Sequence, residues 1–86
     1  MRVTGNPESR FLGYVQVRVA TRVFTLPVEA APMRTKDGSE RRAGFFSEND
    51  QFVILVDSGA SEAAQKETIE RASAEAARHI SRKFLN

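Results

Sequence analysis

The stretch Gln51-Phe52-Val53-Ile54-Leu55-Val56-Asp57, passing through Ser58-Gly59-Ala60 into Ser61–Leu85, decides the fold. A short, almost wholly apolar strand feeds directly into one long, alanine-rich helix. Ser61 is placed to cap that helix, its hydroxyl accepting from first-turn amides. Glu62 suits the positive end of the helix dipole, and Arg82 and Lys83 suit the negative end. No proline or glycine interrupts residues 60–86. Ile69, Ala72 or Ser73, Ala76, Ile80 and Phe84 recur at helical spacing and form one stripe. The small alanines in it allow close approach to a sheet.

The strand carries a second message. Phe52, Ile54 and Val56 face one way, and Val53 and Leu55 the other. One helix covers only one face of a sheet, and an apolar run without alternation implies that both faces are buried. The sheet therefore either curls on itself or presents its second face to another subunit.

Working outward, Ser47-Glu48-Asn49-Asp50 reads as a turn of residues that bond their own backbone. Asp37-Gly38, between two short runs, is a hairpin signal. Residues 33–56 thus read as a three-stranded meander. Ala30-Ala31-Pro32 is a joint. Upstream, Phe11–Val19 alternates, with Val15, Val17 and Val19 on one face and Tyr14, Gln16 and Arg18 on the other. Arg22–Val28 is a second β-rich run, with Phe24, Leu26 and Val28 on one face. The break at Ala20-Thr21 fits a tight turn or a bulge. Pro27 cannot donate to a ladder, which places this run at an edge or ends it there. Residues 1–10, with Gly5, Asn6 and Pro7, form a loose lead-in.

The expected architecture is one α+β domain over residues 1–86. Residues 11–57 make a mainly antiparallel sheet of four to five strands. One long C-terminal helix, 61–85, packs on one face of it.

Composition narrows the chemistry. An 86-residue chain buries only about two-thirds of its unfolded surface, so help from a second copy or a partner is expected. There is no cysteine, which removes disulfides and thiolate chemistry. No apolar run approaches the roughly 20 residues that span a bilayer, and the first residues lack a signal-peptide core. A cytoplasmic protein is expected. Thirteen Lys and Arg against eleven Asp and Glu leave a net charge of +2, so any nucleic-acid role depends on local clustering.

Phe52–Asp57, Ser61 and Gln65-Lys66-Glu67-Thr68-Ile69 resemble a segment of small zincin-type metallopeptidases. In those domains an apolar strand ends in an acidic residue. A Ser-capped joint then leads to a helix bearing His-Glu-x-x-His, whose histidines hold zinc. Across the resembling residues 52–75, the motif positions hold Arg71, Ala72 and Glu75. The resemblance implies the shape without the metal, so a catalytically inactive relative. Glu75 and His79 share a helix face, but a lone histidine supplies no ligand set; a surface i,i+4 contact near the helix end is expected. No Gly-x-Ser-x-Gly elbow and no phosphate-binding glycine pattern occurs. No catalytic residue, metal ligand or cofactor is expected.

Two surfaces remain. Arg34, Lys36, Arg41 and Arg42 flank the Asp37-Gly38 turn and would gather four cations on one hairpin of residues 33–46. That arrangement suits a phosphate backbone, or keeps an edge soluble. In Phe45-Phe46, one ring of a regular strand points away from the core. With Val53 and Leu55 it marks a candidate interaction surface on the face the helix leaves. The expected function is a non-enzymatic protein-interaction module, self-associating or part of a larger bacterial or phage assembly. A nucleic-acid-binding accessory protein using the basic hairpin is the alternative.

Overall fold

The computed structural model describes residues 9–33, 42–49 and 51–84, with the side chain of Phe84 left aside. Four strands and one helix follow in chain order. They are β1 (Arg10–Val19), β2 (Arg22–Ala31), β3 (Gly44–Glu48), β4 (Gln51–Asp57) and α1 (Glu62–Phe84). The strands form one sheet in the order β1-β2-β4-β3, with α1 packed across β1, β3 and β4. This is the expected α+β arrangement, with four strands among the described residues.

β1 pairs antiparallel with β2, and β3 antiparallel with β4. The central pair is parallel: Val28, Glu29, Ala30 and Ala31 lie opposite Ile54, Leu55, Val56 and Asp57. The chain places β3 outside β4, so β4 becomes an interior strand. That is why its sequence is apolar on both sides: Val53, Ile54, Leu55 and Val56 are all buried. The β3–β4 half of the expected meander is present. Its Asp37-Gly38 hairpin lies outside the described residues.

Pro27 is not on an edge strand, because β2 lies between β1 and β4. The register supplies the reason. Pairing with β4 begins at Val28, one residue later, while Pro27 pairs with Tyr14 on the β1 side. Up to Pro27, β2 has a neighbour on one side only among the described residues. A residue without an N–H is tolerated where no ladder bond is needed.

The Ala20-Thr21 break is a tight turn. Val19 pairs with Arg22, and Ala20 takes a φ of 56°. Positive φ at the first loop residue alone is the pattern of a type II′ hairpin turn. The bulge lies instead at Leu12, between the pairs Phe11–Glu29 and Gly13–Val28. Gly13 there has a φ of 138°, which a side chain rarely permits.

The core lies between the sheet and α1. Val17 and Val19 of β1, Leu26 and Val28 of β2, and Ile54 and Val56 of β4 form its sheet side. Ala72, Ala76 and Ile80 form its helix side, at 1%, 0% and 0% exposure. The two alanines let the helix backbone settle close to the sheet. The helix starts as expected: Ala64 N–H donates to Ser61 Oγ at 3.1 Å, and Gln65 N–H to Ser61 O at 2.9 Å.

Two stability changes follow. Ala20→Gly removes the Cβ penalty at positive φ and raises unfolding free energy by about 0.5–1 kcal/mol in urea titration. Ala76→Leu overfills the helix–sheet seam and lowers it by about 1–3 kcal/mol in the same assay.

Candidate interaction surface

Among the described residues β1 is an edge of the sheet, ten residues long, whereas the opposite edge, β3, has five. An edge strand offers unpaired backbone donors and acceptors. The hairpin register tells which ones. The pair flanking a two-residue loop, Val19–Arg22, is hydrogen-bonded, and hydrogen-bonded and non-bonded pairs then alternate. Val19, Val17 and Val15 therefore direct their backbone groups to β2. Arg18, Gln16 and Tyr14 direct theirs outward.

The side chains of these outward residues lie on the face away from α1. Tyr14 is the most open large hydrophobic side chain there, at 68% exposure, and Val23 opposite Arg18 is 50% exposed. Phe11 joins them because of the bulge. Strict alternation would turn it toward the core with Val15. The extra residue at Leu12 instead sets Phe11 opposite Glu29, on the open face. Its ring meets Tyr14 edge to face at 5.0 Å, and it stays 48% exposed. Sequence analysis missed this pair. Gly13 inside an alternating run was the available signal.

The acidic residue of the β1–β2 hairpin, Glu29, is buried. Residues 9–28 contain Arg10, Arg18 and Arg22 and no acidic residue. All three arginines are exposed.

Of the candidate contact residues, one ring of Phe45-Phe46 points away from α1, as expected: it is Phe46, at 39% exposure, on the far edge. Phe45 faces the other way and packs against the core. Val53 and Leu55 lie on the face away from α1, as expected, but are 2% and 4% exposed in the single chain. Their burial is complete without a partner, so they offer no contact area. Glu29, opposite Leu55, is also buried at 2%. A carboxyl inside the apolar run 26–31 was not recognised in the sequence. Of the basic hairpin, Arg42 is exposed. Arg34, Lys36 and Arg41 lie outside the described residues.

The strand–helix joint uses its polar groups for structure. Gly59 N–H donates to Asp57 Oδ1 at 2.9 Å, and Gln65 Nε2 donates to Asp57 O at 2.9 Å. Ser58 N–H reaches Ala31 O at 3.0 Å, extending the parallel pair. Thr68 Oγ1 donates back to Ala64 O at 3.0 Å. At the positions resembling the zinc motif, Arg71 and Glu75 are exposed while Ala72 is buried against the sheet. Among the described residues no three His, Cys, Asp or Glu side chains gather as a metal-ligand set. No helix among them is long and apolar enough to cross a membrane.

His79 is not the surface partner of Glu75. Its ring packs against Phe45 at 5.4 Å and Phe52 at 5.8 Å, while Glu75 is exposed. The two phenylalanines lie on β3 and β4 on the helix side, which draws the imidazole inward. Its Nε2 is buried and finds no hydrogen-bond partner.

Comparison with protein-family models, with curated proteins and with solved structures finds no match.

The aromatic setting of His79 makes a measurable statement. His79→Phe replaces a buried, unpartnered polar atom by carbon, so it raises stability by about 1 kcal/mol in thermal and urea unfolding. A loss of similar size would mean that Nε2 has a partner in solution.

Proposed function

We propose that the protein is a non-enzymatic protein-interaction module that self-associates through β1 and the adjoining open face of the β1–β2 hairpin. The observation that carries this reading is the exposed Phe11–Tyr14 pair, with Val23 exposed further along the same face, beside a ten-residue edge unpaired among the described residues. Aromatic side chains on a rigid strand present large contact area at low entropic cost, and they dominate contact energies where they are buried by a partner. A chain of 86 residues also gains from sharing surface with a second copy. The proposed surface differs from the one expected from sequence. Val53 and Leu55 drop out, Phe46 is at the far edge, and the hairpin aromatics take their place.

A second reading has an observation of its own. The open face of the hairpin sets Arg18 on the same side as the exposed rings of Phe11 and Tyr14. Cationic groups with stacking rings suit single-stranded nucleic acid. Steeply salt-dependent retention of a labelled oligonucleotide would favour it.

Sedimentation equilibrium over a wide concentration range separates the two. The self-association reading predicts a concentration-dependent mass above that of one chain. Tyr14→Lys then weakens association by about tenfold or more, since it replaces an apolar contact by a cation on a face that already carries Arg18. A single-chain mass at every concentration, unchanged by Tyr14→Lys, contradicts it.

A further inference from the structure

The self-association reading leaves open how two copies meet, and the strand itself holds the answer. Only pairings that set Tyr14, Gln16 and Arg18 against the same outward set are allowed, because these carry the free backbone groups. For an antiparallel two-fold arrangement, the symmetry axis then passes by one residue of the strand. Three positions fall within the middle of its regular part, residues 13–19: Val15, Gln16 and Val17.

Charge and shape choose among them. With the axis at Val17, Arg18 of each copy lies opposite Gln16 of the other, and the two Arg18 side chains become diagonal neighbours on one face. Like charges so placed repel. With the axis at Val15, Arg18 falls opposite Leu12, where the bulge breaks the regular ladder. With the axis at Gln16, Arg18 lies opposite Tyr14 of the second copy, and Gln16 opposite Gln16. Val15 and Val17 then meet across the seam on the helix side. Arg18 sits on a phenol ring, a favourable cation–π contact, and the two Arg18 groups are held apart. Val23, the neighbour of Arg18 on β2, extends the same row.

We infer that two copies join antiparallel through β1 about a two-fold axis at Gln16, making one continuous eight-stranded sheet with Tyr14 of each copy on Arg18 of the other. The inference rests on the self-association reading. It also accounts for the unequal edges. The short β3 is blunted by its length and by Glu48. The long β1 keeps its bulge near one end, at Leu12, and leaves Tyr14–Arg18 regular.

The chain has no cysteine, so single-cysteine variants are clean probes. Opposed residues of a hydrogen-bonded antiparallel pair have Cα atoms about 5.5 Å apart. Their Cβ atoms lie about 5.5 Å apart, beyond the roughly 3.5–4.5 Å of a disulfide but within reach of a short thiol-reactive cross-linker. Gln16 is exposed, so Gln16→Cys leaves the core intact. With a short bismaleimide cross-linker, most Gln16→Cys protein is expected to become a covalent dimer, and Glu48→Cys at the other edge is not. Arg18→Glu should weaken the unlinked dimer, and Arg18→Lys should retain most of it. If the mass in solution exceeds one chain but Gln16→Cys does not cross-link, the Gln16 axis is wrong while self-association stands. A single-chain mass removes both. A single chain that instead retains an oligonucleotide in a salt-dependent way assigns Arg18 and Tyr14 to nucleic acid and overturns the inference.

Discussion

The parallel pairing of β2 with β4 is the constraint on which the remaining structure depends. Four residue pairs, Val28–Ile54 to Ala31–Asp57, join the N-terminal hairpin to the β3–β4–α1 unit. Parallel neighbours cannot be linked by a tight turn. The chain between them must travel, and β3 is placed outside β4 on that path. β4 is thereby interior, flanked on both sides and buried on both faces. Ser58 N–H on Ala31 O prolongs the pair, and the Asp57, Gly59 and Gln65 hydrogen bonds turn the chain directly into α1. The helix that follows lies across the face bearing Ile54 and Val56. Core, joint and helix direction all derive from that one pairing.

It also determines the edges. With β2 and β4 at the centre, β1 and β3 are left outside, and only β1 is long. Pro27 stops lateral pairing of β2 before it reaches the turn end, so the β1–β2 hairpin projects with one flank open. The Leu12 bulge then turns Phe11 onto the same side as Tyr14. An aromatic pair, Arg18 and a strand edge unpaired among the described residues therefore occur together on one part of the molecule.

Much of this was legible in sequence. The apolar run Val53–Val56 signalled burial on both faces, and the stripe at Ala72, Ala76 and Ile80 signalled the face α1 would use. Ser61 and the strand alternation of Val15, Val17 and Val19 were equally plain. These features follow from local periodicity and capping, which a single sequence displays. What was not legible depends on which strands become neighbours. The parallel β2–β4 pair has no local signature, so Pro27 by itself implies an edge strand or a strand end. The outward turn of Phe11 depends on one extra residue opposite β2. The inward position of His79 depends on Phe45 and Phe52 arriving from other strands. The candidate surface moved for the same reason: Val53 and Leu55 were placed on the correct face, but burial is a property of the whole chain.

Backbone hydrogen exchange, followed amide by amide at low and high protein concentration, tests the central claim that β1 is the edge in use. Amides of the parallel β2–β4 pair should be protected throughout. Those of Tyr14, Gln16 and Arg18, which point away from β2, should exchange quickly in dilute solution and become protected as concentration rises, while β3 amides do not change. Rapid exchange at Tyr14, Gln16 and Arg18 at every concentration would contradict the account.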